Sequence, residues 1–159
     1  YCISSSRWIC DREPERVIGL FDKDPSFGTD RLASGILDFG NGLQASFTCS
    51  TQVAPYQRIN ILGTHGRVEI DIPFNAPPDR PCRVSLYPGT HSDQGRFEPA
   101  ESQVLDMDIC DQYTLQGEAI SLAILNDEPV PYGLDDALGN MRTLEALRQS
   151  NESSAWIVP

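Results

Sequence analysis

Most of the chain alternates apolar and polar residues with a period of two, and helical spacing is confined to its two ends. The clearest strand starts at Leu43. Leu43, Ala45, Phe47 and Cys49 share one face, and Gln44, Ser46, Thr48, Ser50 and Gln52 share the other. Before it, Arg16 to Phe21 is apolar and partly β-branched, and Arg31 to Phe39 alternates through Ala33, Gly35, Leu37 and Phe39. Gly40-Asn41-Gly42 lies between that strand and the next and predicts a hairpin, since Asn and Gly tolerate positive φ. Two more strands, Gln57 to Leu62 and Arg67 to Ile72, flank the turn Gly63-Thr64-His65-Gly66. In the latter, Val68, Ile70 and Ile72 should be covered while Arg67, Glu69 and Asp71 face water. The proline-rich run Pro73 to Pro81 is too short of donors to be a strand. Cys82 to Tyr87 and Ser102 to Ile109 are the last strand candidates, with an exposed turn from Pro88 to Ala100 between them.

Helices are expected at both ends. Tyr1 to Cys10 reads as a helix that Asp11-Arg12-Glu13-Pro14 stops. It opens without a cap or an initiator Met, which predicts that further chain precedes it. Asp111 caps a predicted helix over Gln112 to Asn126, with Leu115, Ala119, Leu122 and Ala123 on one side. Asp135 is expected to cap another, with a buried stripe of Ala137, Leu138, Met141, Leu144 and Leu147. Strands first and helices last predict an α+β fold: an open, largely antiparallel β-sheet with helices packed on one face. This is not a βαβα order, and no Gly-rich phosphate loop is present.

Composition adjusts this picture in three ways. At 159 residues with 40% hydrophobic content, the chain is long enough for one domain with its own core. A formal net charge of −11 opposes binding to phosphate backbones and anionic membrane surfaces, so neither nucleic acid nor a membrane is an expected partner. The five cysteines show no short repeated spacing, and neither His65 nor His91 stands at zinc-ligand distance from a cysteine pair. Reduced thiols, no metal site and a cytoplasmic location are the expectation. The polar row on the Leu43 strand lacks Lys and Glu, so it reads as a surface covered by a partner subunit or a ligand, or as a solvated face rich in Ser and Thr.

Several segments, in order, resemble the C-terminal domain of the glucose–fructose oxidoreductase (Gfo/Idh/MocA) family. They are Arg7-Trp8 with Glu13-Pro14-Glu15-Arg16-Val17, Leu37-Asp38-Phe39-Gly40-Asn41-Gly42, Ile61 to Ile70, and Asp135-Asp136-Ala137-Leu138-Gly139-Asn140-Met141-Arg142. The resemblance covers nearly the whole chain. Tyr1 and the run Thr51 to Arg58 are most similar to the sugar-oxidoreductase and dihydrodiol-dehydrogenase branches. It implies that residues 1–159 are a substrate-binding and oligomerisation domain whose N-terminal Rossmann partner lies outside this chain. NAD or NADP would be held mainly by that partner and not by this fragment alone.

The family's acid–base residue stands six positions before the Arg of Arg-Trp, which puts it at Tyr1. The resemblance thus implies that Tyr1 accepts or returns the hydroxyl proton during oxidation of a sugar, polyol or diol CH–OH group. A phenol with an ordinary pKa near 10 needs a neighbouring cation for that work. The family places a Lys for it in the absent domain. A terminal aromatic packed on the sheet is the alternative. Phe74 and Asn75 are candidates to cover a substrate, or form a rigid surface loop. Tyr113 offers a hydroxyl to a sugar, or packs between helix and sheet. Arg31 is read as an ion-pair partner of Asp30. The expected partners are a sugar or diol substrate and further copies of the chain, as a homodimer or homotetramer through the open sheet face. A non-catalytic binding or oligomerisation module of the same fold is the alternative.

Overall fold

The computed structural model describes residues 1–159. They form two compact units, one of residues 1–54 and 131–159, the other of residues 55–130. The first unit holds α1 (Cys2–Cys10), β1 (Arg16–Lys23), β2 (Asp30–Asp38), β3 (Gln44–Ser50) and the last helix. The second holds β4 (Arg58–Gly63), β5 (Gly66–Asp71), β6 (Arg83–His91), β7 (Phe97–Pro99), β8 (Gln103–Asp106) and α2 (Gln112–Asn126), while α3 (Leu134–Ser153) returns to the first. Every strand pairing is antiparallel, in a three-stranded sheet ordered β1-β2-β3 and a five-stranded sheet built on β4-β5-β6. The α+β class read from the sequence stands, with the strands divided between two sheets.

The first unit has the denser core. Ile3, Val17, Leu37, Phe39, Ala146 and Leu147 form one buried cluster, lined by Cys10, Phe21, Ala45, Phe47 and Ile157. Burying a side chain of the Val, Leu or Phe class is worth about 1.5–3 kcal/mol, so this cluster fixes α1 and α3 against one face of the sheet. Gly40, Asn41 and Gly42 all have positive φ, as the hairpin reading required. The outer edge of β1 is closed by the end of the chain. Val17 N–H donates to the Ile157 carbonyl at 2.8 Å, Gly19 N–H to Ser150 Oγ at 3.1 Å, and Phe21 N–H to Asn151 Oδ1 at 2.8 Å. An edge strand whose donors are met in this way is no template for stray pairing.

Helix α3 departs from expectation at both its start and its buried side. Its N-cap is Gly133, and Asp135 lies inside the first turn with Asp136, where carboxylates favour the helix N-terminus. The buried residues are Gly139, Thr143, Ala146, Leu147 and Ser150; of the expected stripe only Leu147 is among them, while Leu138, Met141 and Leu144 are exposed. The reason is close approach. A Cβ on Gly19 would sit 2.8 Å from the Leu147 carbonyl oxygen, so β1 and α3 meet nearly backbone to backbone. The seam is therefore lined mostly by small side chains, with Leu147 the one bulky residue in it, and Leu138, Met141 and Leu144 turn outward. The α2 face predicted from Leu115, Ala119, Leu122 and Ala123 is likewise exposed except at Ala123.

In the second unit, the segment read as an exposed turn from Pro88 to Ala100 is a further hairpin. Strand β6 runs on through Pro88 to His91 and pairs there with β7, Gly89 opposite Pro99 and His91 opposite Phe97. Pro88 lacks an N–H but still accepts through its carbonyl from Ala100 N–H at 2.9 Å, so the strand survives a residue that looks like a break. Arg31 pairs with Asp22 at 2.5 Å across the β1–β2 ladder, not with its neighbour Asp30. Adjacent strand residues point to opposite faces, which keeps Asp30 and Arg31 apart.

One buried charge ties α1 to the rest of the unit. Arg7 is only 7% exposed. Its Nε and Nη2 donate to the two carboxylate oxygens of Glu13 at 2.7 and 2.6 Å, and Nη1 donates to Asp136 Oδ1 at 3.0 Å and to the Asp136 carbonyl at 3.1 Å. The guanidinium crosses α3 at Gly139, where a Cβ would overlap it and sit 2.7 Å from Glu13 Oε1. The Arg7 hydrogen bonds hold the Glu13 carboxyl below the ordinary range, against the opposing effect of burial.

Two predictions follow from this anchor. Gly139→Ala should destabilise the fold by about 1–3 kcal/mol, the usual cost of overpacking, measured as a lower denaturation midpoint with unchanged slope. An unchanged midpoint would mean that Arg7 does not depend on the gap. The second concerns acid. A carboxylate whose pKa falls on folding stabilises above its unfolded value, about 4.3 for Glu, and loses that contribution as pH drops through the folded value. Stability should therefore fall as pH drops below about 4.3 in the parent, and Glu13→Gln should flatten that limb in a denaturation series. Parallel acid limbs would remove Glu13 from the account.

Candidate functional site

Tyr1 is the N-cap residue of α1, with no side-chain cap bond, and its carbonyl accepts from Ser5 N–H at 2.9 Å. Its side chain is 74% exposed. Below it the helix is held by Ile3 in the core and by Arg7 in its ion cluster, both on buried positions of α1. Ser6 Oγ donates to the Cys2 carbonyl at 2.8 Å. A phenol at the first turn of an anchored helix has a fixed origin and an open approach, which suits a group that meets a ligand.

Phe74, Asn75 and Tyr113 belong to the second unit. The structure brings two of them into contact: Tyr113 Oη donates to Asn75 Oδ1 at 3.2 Å. Phe74 is held through its backbone, whose N–H donates to Gln57 Oε1 at 3.2 Å. Tyr113 is set by the cap of α2, where Asp111 Oδ1 accepts from Tyr113 N–H at 3.0 Å and Asp111 Oδ2 accepts from Thr114 Oγ1 at 2.9 Å. Those bonds, Thr114's first, lower the Asp111 carboxyl pKa and keep it charged at the helix N-terminus. The loop that carries Phe74 and Asn75 is strained. Ile72 and Asn75 both have φ of 50°. For β-branched Ile72 that conformation costs roughly 1–3 kcal/mol, and such residues gather at ligand-binding segments. Gln57 was not among the residues singled out from the sequence; no local pattern marks a Gln that reaches 17 positions along the chain.

The polar row of β3 faces outward as read, with Gln44, Ser46 and Thr48 exposed. Its neighbours change its character. In register with it stand Ile36 and Ser34 on β2, then Ile18 and Leu20 on β1. Ser34 Oγ and Thr48 Oγ1 lie 2.8 Å apart, and Leu20 is 73% exposed. Together with Asn151 and Ser154 these residues line an open groove of about 640 Å³. The signal was present in β1, whose run Val17 to Phe21 is apolar on both faces, as a strand covered on both sides would be.

Other chemistry is sparse. No group of three or more His, Cys, Asp or Glu is gathered where it could hold a metal ion, and no helix is long and apolar enough to cross a membrane. His65 sits exposed in the β4–β5 turn, with Thr64 Oγ1 at 3.1 Å from its Nδ1. The strand–Gly-rich turn–helix unit that cradles a dinucleotide pyrophosphate does not occur in these residues, whose strands pair only antiparallel.

Comparison with known proteins agrees with this architecture. Residues 1–69 match the GFO/IDH/MocA C-terminal domain. An uncharacterized oxidoreductase from Rhizobium meliloti is 38% identical over 156 residues, which is 98% of this chain and 45% of that protein. The D-xylose 1-dehydrogenase (NADP(+)) 2 of Haloferax volcanii is 25% identical over 162 aligned positions, 99% of this chain and again 45% of that protein. The chain therefore spans under half the length of these curated relatives. Among solved structures, an aldose–aldose oxidoreductase from Caulobacter crescentus complexed with glycerol superposes with a TM-score of 0.74 at 22% identity, over 100% of this chain and 45% of that one. A 3-ketoreductase from Actinomadura kijaniata gives 0.80 at 17% identity, over 94% of this chain and 44% of that one. These two likenesses are likenesses of fold. The sequence matches the GFO/IDH/MocA C-terminal domain over residues 1–69, and the fold is shared with these two structures along nearly the whole chain.

Proposed function

We propose that this chain is the substrate-side domain of an NAD(P)-dependent oxidoreductase acting on a CH–OH group of a sugar or other polyol or diol. The carrying observation is the placement of Tyr1: exposed, at the first turn of α1, and six positions before the buried Arg7 that anchors the helix. Tyr1 Oη is the group that takes the hydroxyl proton on oxidation and returns it on reduction. Asn75 and Tyr113, joined at 3.2 Å, present an amide and a phenol of the kind that hydrogen-bonds sugar hydroxyls, and Phe74 supplies an apolar wall beside them. The nicotinamide, as NAD or NADP, belongs to an N-terminal Rossmann domain of the whole protein, and residues 1–159 act as its substrate-binding and oligomerisation partner. The relatives' dehydrogenase and oxidoreductase names support this reading.

The face formed by Ile18, Leu20, Ile36, Ser46 and Thr48 supports the rest of the proposal, a homodimer or homotetramer. Apolar anchors ringed by hydroxyls suit the centre of an interface between copies of one chain.

In the whole enzyme, Tyr1→Phe should lower kcat by about 10²–10⁴-fold, the usual contribution of a positioned acid–base group, with KM little changed. A change in KM alone would make Tyr1 a binding residue. For the interface, light scattering of the chain should give a dimer or larger species, and Leu20→Asp with Ile36→Asp should give a monomer with an unaltered circular dichroism spectrum. A parent that is monomeric at every concentration would withdraw the interface.

A further inference from the structure

The second unit carries a cleft of its own at one end of its sheet. Leu62, Arg67 and Tyr87 stand opposite one another across β4, β5 and β6, so their side chains share a face. The Arg67 guanidinium lies over the Tyr87 ring, 4.0 Å from its centroid. Gly89 follows Tyr87 on that face, and the Phe97 ring from β7 fills the space where its side chain would stand. The His91 ring meets Phe97 edge-on, with centroids 5.5 Å apart and planes at 72°, and holds it over the strand. Pro88 and Pro99 extend the apolar wall, while Gly63 and Gly66 leave bare backbone. The result is an open cavity of about 370 Å³. That is within the roughly 300–1,000 Å³ of small-molecule sites.

Arg67 is the one charged group in the lining. Within the chain it is engaged only by the Tyr87 ring and by Glu69, whose Oε1 lies 3.3 Å from Nη2. Glu69 is shared with Arg58, also at 3.3 Å, so it does not claim the whole of the Arg67 charge. A guanidinium backed by an aromatic ring, with donors left over, suits a planar anion. The net charge of −11 and the nearby Glu69 disfavour a dianion, which selects a carboxylate over a phosphate. Phenyl, phenol and proline walls with a single cation would leave most hydroxyls of a sugar unmet, so the body of the ligand is apolar and flat. We propose that this cleft is a binding site for a small aromatic carboxylate, its ring against Phe97 and the prolines and its carboxylate on Arg67. None of Tyr1, Phe74, Asn75 and Tyr113 lines the cavity, and the inference does not rest on the roles given to them.

The test is an NMR titration of the isotopically labelled chain with naphthoate and with the neutral, isosteric naphthamide. Saturable shifts are expected in amides of residues 62–67, 87–89 and 97–100, with naphthoate bound about tenfold more tightly than naphthamide, the worth of one charge-assisted contact. Arg67→Gln, a change at a half-exposed strand position, should erase that preference and leave the remaining spectrum in place. Phe97→Ala should weaken both ligands together. Absence of saturable shifts, equal affinity of the two probes for the parent, a preference that survives Arg67→Gln, or shifts centred on Ile18, Leu20 and Ile36 instead would each overturn the proposal.

Discussion

A guanidinium taken out of water costs several kcal/mol unless its donors are met, and α1 is held in place by meeting them. Arg7 spends three of its nitrogens on Glu13 and Asp136, one from the segment after its own helix and one from α3. That arrangement works only because position 139 carries no side chain. The same contact joins the two ends of the chain: residues 1–54 and 131–159 are one unit in part because a residue near the start is neutralised by one near the end. A lysine could not replace Arg7 there, since one ammonium cannot hold a carboxylate bidentately while bonding a second carboxylate and its carbonyl.

From that constraint the packing of α3 follows. A helix pulled close enough for Asp136 to reach Arg7 lies almost on β1, and its buried residues, Leu147 apart, shrink to Gly139, Thr143, Ala146 and Ser150. Ser150 then serves twice, accepting from Gly19 N–H and donating to the Ala155 carbonyl at 2.6 Å, which turns the chain so that Ile157 can pair with Val17. With one face of the three-stranded sheet covered by α1 and α3, its apolar outward residues, Ile18, Leu20 and Ile36, have no cover within the unit. The groove is thus a consequence of the seam, not a separate feature.

What the sequence made legible was local. Period-two alternation located seven of the eight strands, because each side of a strand tells its own burial. The Gly40-Asn41-Gly42 turn and the Asp111 cap were legible because their chemistry is complete within a few residues. The α3 stripe was not, since an apolar count assumes that the buried side is the bulky one, and here close approach reverses the rule. The β6–β7 hairpin was hidden by Pro88 and Gly89, which signal a break when read without their partners. Ion pairing failed for Arg31 for a similar reason: its partner Asp22 comes from the neighbouring strand, beside the register shift that leaves Arg31 unpaired in the ladder, rather than from the adjacent residue in sequence. Of the candidate site, the family resemblance around Arg7-Trp8 pointed to Tyr1, and residue type alone suggested Asn75 and Tyr113. The bond between those two and the Gln57 contact are tertiary facts with no local signature.

The proposed proton-transfer group and the proposed sugar contacts are held by different physical means, and the difference suits their tasks. A proton moves only over hydrogen-bond distance, so a misplaced acid–base group loses most of its effect, and a helix pinned by core and ion cluster supplies a fixed Tyr1. Hydroxyl recognition tolerates more adjustment but needs amide and phenol groups turned outward from the fold. The loop from Ile72 to Asn75 achieves this by adopting two left-handed residues, one of them β-branched, in place of the glycines that would relax it. Glycine there would widen the range of backbone conformations and leave the Asn75 amide poorly aimed at Tyr113. The strain, offset by Gln57 and by the cap of α2, therefore supports a reading of this loop as a binding element rather than a connector.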